Sequence, residues 1–222
     1  MSKPSARDRL ARAAFSLFDE HGYEQVTVED IAERAGVGRT TFFRHYRSKE
    51  DVIFQDHEGM LERVRQRLLA PGHGTALAAM ADAARLVLQA YLDEGEIARR
   101  RYALTSTVPA LRDREIISVA RYQRAFREFL ADRGGDQGEL AELRAELAAA
   151  GVVAAHNHVL RRWLRGQAAD PLTEFDLAMR QVAVLFDGGT AGHGTTIAVF
   201  RTDEDIDTLL PVIRRLTSKD QA

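Results

Sequence analysis

Apolar positions recur at helical spacing along almost the whole chain. Leu10, Ala14, Leu17 and Phe18, flanked by Phe15, predict a helix over residues 6–21, stopped by Gly22. Val28, Ile31, Ala32 and Ala35 predict a shorter one behind Thr27, whose hydroxyl suits an N-cap. Glu29 and Asp30 stand in its first turn, at the positive end of the helix dipole. Gly36 ends that helix by taking the left-handed conformation, and Val37 fills the corner. A second short helix then runs from Arg39 to about Tyr46, with Phe42 and Tyr46 facing inward. Arg39, Thr40, Arg44 and His45 are left to face out. Ser48 caps the next helix, which periodicity carries to about residue 69 as one rod. Ile53, His57, Val64 and Leu68 share its face. Pro71, Gly72 and Gly74 break the chain there.

The rest repeats the pattern. Helices are predicted over 75–93 (Leu77, Ala81, Ala84, Leu88, Tyr91), 96–107 and 109–133 (Ile116, Val119, Gln123, Phe126, Leu130). Two more cover 139–165 (Leu140, Leu143, Leu147, Gly151, Ala154) and 172–187 (Phe175, Met179, Val182, Phe186). That makes nine helices in two units, 1–50 and 51–222, with no flexible linker between them. The last two helices are apolar over a wider arc than one buried face requires. A symmetric dimer would cover them in a four-helix interface through Gly151, Phe175, Met179, Val182 and Phe186; a monomer with a thick core is the alternative. The tail changes character. Residues 187–194 hold four glycines, 195–201 alternate as a strand would, and Thr202 caps a further helix to about 217. A purely helical or unstructured tail is the competing reading. The fold class is therefore all-α, with a short strand and an extra helix expected at the C-terminus.

Two short helices joined by a tight glycine turn form a helix-turn-helix, the geometry that lays its second helix in the major groove of DNA. Charge agrees. Residues 34–49 carry Arg34, Arg39, Arg44, Arg47 and Lys49 and no acid, although the whole chain has a net charge of −2. Such a block can also be a solvated helical hairpin. Arg39, Thr40 and Arg44 are the expected base readers, arginine being suited to bidentate contact with guanine. Thr27, Thr41, His45 and Lys49 are the expected phosphate contacts, Lys49 lying beside the free amides of a helix N-terminus.

Gly22-Tyr23, Thr27-Val28, Ile31-Ala32, Ala35-Gly36-Val37, Thr41-Phe42-Phe43, His45-Tyr46 and Ser48-Lys49-Glu50 resemble the N-terminal domain of tetracycline-repressor-type (TetR-family) regulators. The likeness is specific over about residues 8–53; beyond, it covers only length and helical character. Gly38 stands where the family usually has a Ser or Thr cap, and Phe43 where a Tyr commonly reaches phosphate. The resemblance implies a small-molecule pocket in the helical body, whose occupation moves the rod from Ser48 and separates two heads from their palindromic operator. Polar or aromatic residues on apolar faces are the expected pocket lining: His57, Tyr102, Tyr122, Phe126, His156, Asn157 and Trp163. Arg99-Arg100-Arg101 could meet an anionic ligand such as an acyl-CoA, which some similar proteins bind, or form a solvated face.

Composition removes other classes. There is no cysteine, hence no disulfide framework, thiolate metal site or cysteine nucleophile. No apolar run is long enough for a membrane helix or signal core, so a cytoplasmic location without membrane contact is expected. No glycine-rich phosphate loop follows a strand, and His156 and His158 point about 200° apart on a helix, too far to share a metal. No cofactor and no enzymatic activity are expected. The sequence describes a ligand-responsive DNA-binding regulator and homodimer, with repression the expected outcome; a helical protein-interaction scaffold is the alternative.

Overall fold

The computed structural model describes residues 5–54, 57–133 and 138–187. The proposed strand and terminal helix lie outside them, as does the side chain of His57. Ten helices are described: α1 (Ala6–His21), α2 (Val28–Arg34), α3 (Arg39–His45), α4 (Lys49–Ile53), α5 (His57–Leu68), α6 (Ala76–Glu94), α7 (Glu96–Thr107), α8 (Pro109–Arg133), α9 (Glu139–Leu164) and α10 (Pro171–Asp187). Their starts follow local chemistry. Ser5 with Asp8 and Thr27 with Asp30 form capping boxes, while Ser48 and Thr75 accept from the amides of Asp51 and Ala78.

The expected single rod from residue 48 to 69 is instead two helices. Phe54 leaves helical geometry at φ −99°, ψ 62°, closing α4 after five residues. The physical reason is that the two halves serve different cores. Val52, Ile53 and Phe54 pack with α1–α3, whereas Val64 and Leu68 belong to the core that α5 shares with α6 and α8.

Those two cores organise everything else. The head core holds Leu10, Phe15, Phe18, Ile31, Phe42 and Tyr46, and it is completed by Leu111 from the first turn of α8. Ile97, Leu104 and Val108 pack around the same plug, so the α7–α8 corner is seated in the head. Arg114 of α8 pairs with Asp51 and stacks over Phe54, and Arg100 of α7 reaches Asp19 at 3.3 Å. The body core gathers α5, α6, α8, α9 and α10 around Met80, Leu88, Phe126, Val152, Trp163 and Phe175.

Several expected faces are rotated. On α6 the buried side is Ala79, Met80, Ala83, Ala84, Val87 and Leu88, leaving Leu77 and Ala81 at its edge. Ile116 is 60% exposed because Leu111, the third residue of α8, fixes which side of the helix faces inward. On α9, Leu140, Leu143 and Leu147 are exposed, and the packed side is Ala149, Val152, His156, Val159 and Trp163. Of the five expected interface residues, Phe175, Met179 and Val182 are buried within one chain. Gly151 lets α10 approach closely: a Cβ there would stand 3.0 Å from the Phe186 ring of the same chain.

Leu111→Ala is expected to cost about 2–5 kcal/mol in chemical denaturation, as a large-to-small change in a sealed core. Ile116→Ala on the same helix should change stability by less than about 0.5 kcal/mol. Equal effects at the two positions would show that α8 does not plug the head.

Candidate nucleic-acid interface and ligand cavity

The turn between α2 and α3 is closed by backbone hydrogen bonds. The Val37 amide donates to Ala32 O at 3.0 Å and the Gly36 amide to Glu33 O at 3.0 Å, with Gly36 at φ +66°. Phe42 and Tyr46 sink into the head core at 5.7 Å from each other, and the Tyr46 hydroxyl donates to Arg7 O at 3.2 Å. This anchoring leaves Arg39, Thr40, Phe43 and Arg44 exposed on the outer side of α3. Arg39 does not wave freely. Its guanidinium pairs with Glu29 of α2 at 2.7 Å and lies 5.4 Å over the Phe43 ring, so Phe43 supports the arginine. An exposed pair of this kind is worth at most about 1 kcal/mol, little enough for a stronger partner to take over. Among the described residues no acid pairs with Arg44.

The other expected contacts are more committed. Thr27 spends both its amide and its hydroxyl on the Asp30 carboxylate, at 2.8 and 2.7 Å, which holds that carboxyl below its ordinary range. Lys49 donates to Tyr23 O at 2.9 Å and Val26 O at 3.0 Å and sits over the Tyr23 ring, tying α4 to the loop before α2. Thr41 is half-buried. His45 does not face out as expected. Three residues from Phe42, it flanks the inner side of α3, and its Nε2 is sealed in a cleft of about 590 Å³ lined also by Arg47, Asp51, Arg114 and Arg121. Arg34 is bound at 2.9 and 2.8 Å by Glu20, whose carboxyl falls to about 2. The acid-free block thus draws acids from outside itself, a relation that spacing within the block does not reveal.

The body contains a cavity in two parts. The inner chamber, with about 50 Å³ of free space, is lined by Tyr91, Glu115, Tyr122, Phe126, His156 and Asn157 among aliphatic neighbours. A vestibule of about 330 Å³ adjoins it along Val87, Tyr91 and Tyr122 and is bounded by Arg7, Asp8, Arg63, Glu94 and Arg101. Together they reach the bottom of the roughly 300–1,000 Å³ usual for small-molecule sites. Four expected lining residues are here: Tyr122, Phe126, His156 and Asn157. Tyr102 and Trp163 are not. Tyr102 accepts from Arg165 at 2.9 Å, and Trp163 is a core residue stacked beneath Arg99. The three consecutive arginines scatter, with Arg99 on Trp163, Arg100 on Asp19 and Arg101 buried against Glu94. No helix among the described residues is long and apolar enough to cross a membrane, and none of their His, Asp and Glu groups forms a metal cluster.

The profile of bacterial regulatory proteins of the tetR family matches residues 10–55, and that of the MftR C-terminal domain matches residues 75–187, half of the chain. The chain belongs to the tetR family. This TetR-family protein is a DNA-binding transcriptional regulator with an all-helical fold. It is 27% identical over 176 residues to a Mycobacterium tuberculosis protein named as the mycofactocin biosynthesis transcriptional regulator MftR, covering 74% of this chain and 82% of that one. It is 36% identical over 140 residues to the HTH-type transcriptional regulator TcmR of Streptomyces glaucescens, covering 63% of this chain and 58% of TcmR. Among solved structures, SmeT in complex with triclosan shares the fold at TM-score 0.58 and 17% identity, over 90% of this chain and all of SmeT.

Burial drives the pKa of His156 in the regulator's chamber down to about 4, against a weaker upward pull from Asn157. The unfolded chain takes up that proton near the ordinary value of 6.5, the folded chain only near 4. Between those values the unfolded state binds more protons, so stability falls as pH falls. Wild type is expected to lose up to about 3 kcal/mol relative to His156→Leu between pH 7 and pH 4, measured by denaturation at each pH. A constant gap would refute the burial of this ring.

Proposed function

We infer that this regulator is a ligand-responsive repressor, acting in the cytoplasm as a homodimer on a palindromic operator. The carrying observation is the outer side of α3, where Arg39, Thr40 and Arg44 stand exposed on a helix anchored by buried Phe42 and Tyr46. Arg39 and Arg44 read bases, and Thr41 supports the backbone register. Thr27 and Lys49 reach phosphate only by sharing groups already used within the head.

The dimer face follows from what one chain leaves uncovered on α9 and α10. Leu140, Leu143, Leu147, Leu177, Val184 and Leu185 are all half or more exposed. Pairing α9 and α10 with their copies buries this set and places two heads on one duplex. The ligand signal runs through α8. Leu111 sits in the head core and Phe126 lines the chamber on one unbroken helix, about 22 Å apart along its axis. A ligand that favours another seating of α8 thereby biases the head, provided it binds that conformation better. SmeT is known in complex with triclosan; the effector here enters the body cavity lined by Tyr122, Phe126 and His156.

Arg39→Ala is expected to cost about 1–3 kcal/mol at one base position of the operator, read by anisotropy on duplexes from upstream of its own coding region. An equal loss on every sequence would make Arg39 a phosphate contact instead. Leu185→Glu should leave a monomer in sedimentation and weaken operator binding by at least about tenfold. A variant that stays dimeric would place the interface elsewhere.

A further inference from the structure

Among the described residues, five buried side-chain polar atoms have no hydrogen-bond partner. His73 Nε2 and Asp82 Oδ2 face each other at 3.6 Å, and Asp82 also holds Arg67 at 2.5 Å. His45 Nε2 belongs to the head cleft. The last two, Arg101 Nε and His156 Nε2, belong to residues that line the vestibule and the chamber. Their residues are only 6% and 7% exposed. An unmade buried hydrogen bond is costly, so two at one cavity call for a partner that arrives there.

The two atoms differ in sign. His156 Nδ1 lies 3.2 Å from Asn157 Oδ1. An amide oxygen only accepts, so Nδ1 carries the ring proton and Nε2 is a bare acceptor. Glu115 adds a second, half-buried acceptor to the chamber wall. Arg101 is the reverse case. One of its terminal nitrogens pairs with Glu94 and its guanidinium lies 5.5 Å over the Tyr91 ring, while its Nε–H has nothing to donate to. Charge at the vestibule leans the same way. Arg7, Arg63 and Arg101 face Asp8 and Glu94, and Asp8 is already engaged in the cap of α1. Between the two ends run Tyr91, Tyr122 and Phe126, with aliphatic side chains around them.

We propose that the cavity takes an amphiphile of one polarity: an apolar, partly aromatic body with a hydroxyl donor at its inner end against His156, and a carbonyl or carboxylate acceptor at its outer end against Arg101. This rests on the reading of the body as an effector-binding unit and narrows it to a ligand class. A hydroxyl supplies the proton that Nε2 lacks, and a carboxylate takes the Nε–H proton in a charge-assisted bond. The same end groups reversed would set acceptor against acceptor in the chamber. Free space of about 50 Å³ leaves room beside the ring for little more than a hydroxyl group.

Three rigid probes test this against the full-length protein by titration calorimetry: 6-hydroxy-2-naphthoate, 2-naphthoate and 2-naphthol. The first is expected to bind at least about tenfold tighter than either truncated probe, because each truncation leaves one buried atom unmet. His156→Leu should abolish the preference for the hydroxyl alone, and Arg101→Met the preference for the carboxylate alone. The comparison of probes on wild type needs no variant to fold. Equal affinity for all three, no binding at millimolar concentration, or a hydroxyl preference that survives His156→Leu overturns the proposal. Operator binding, followed in parallel, separates the two readings. Discrimination among probes by a protein that ignores DNA would sink the regulatory mechanism and keep this one. Operator release by other compounds, with the naphthoates silent, would do the opposite.

Discussion

Leu111 is fully buried among side chains of the first four helices although it belongs to α8, and this shared packing constrains the whole molecule. A three-helix head of some fifty residues has a small core, and small cores are marginal. Here the core is closed by a residue from a different unit, with Ile97, Leu104 and Val108 packed around it. The Arg114–Asp51 and Arg100–Asp19 pairs rim the joint and fix its register. The Arg100–Asp19 pair, being exposed, adds little energy by itself. A tilt of α8 would disturb the packing behind α3, which is the route by which the proposed regulation reaches the outer side of that helix.

Short-range chemistry made the head legible. Thr27, Gly36, Gly38 and Ser48 each act on a neighbour within a few residues, and the helix boundaries they imply are the ones observed. The exposure of Arg39, Thr40 and Arg44 followed from anchoring Phe42 and Tyr46, again a local matter. What could not be read was long-range use of the same residues. Lys49 looks like a phosphate ligand by position, yet two carbonyls twenty-odd residues away engage it. Glu29 suits a helix N-terminus, and nothing nearby says that it also holds Arg39.

Periodicity was weaker in the body for a related reason. It gives a stripe but not which of two apolar sides faces the same chain. On α9, Leu140, Leu143 and Leu147 form as good a ridge as Val152, His156 and Val159, and only the latter set is buried. Phe54 is a starker case. No proline or glycine marks the break between α4 and α5; the demand of two separate cores overrides local propensity there. Arg101 shows the same limit, since a run of three arginines reads as surface while its third member is interior, over Tyr91.

That interior arginine bears on how a ligand can do work. A compound shifts a conformational equilibrium only by binding one state better than the other, and apolar contacts alone discriminate poorly between two packings of similar volume. Unmet polar atoms discriminate strongly, because their satisfaction depends on position within a few tenths of an ångström. Arg101 is on α7 and His156 on α9, while α8, which carries Tyr122 and Phe126, packs against both and reaches the head core. A molecule long enough to meet both atoms must settle against α8 on the way. On the proposed mechanism, the strain of fitting it would fall on the helix whose other end holds Leu111 in the head core.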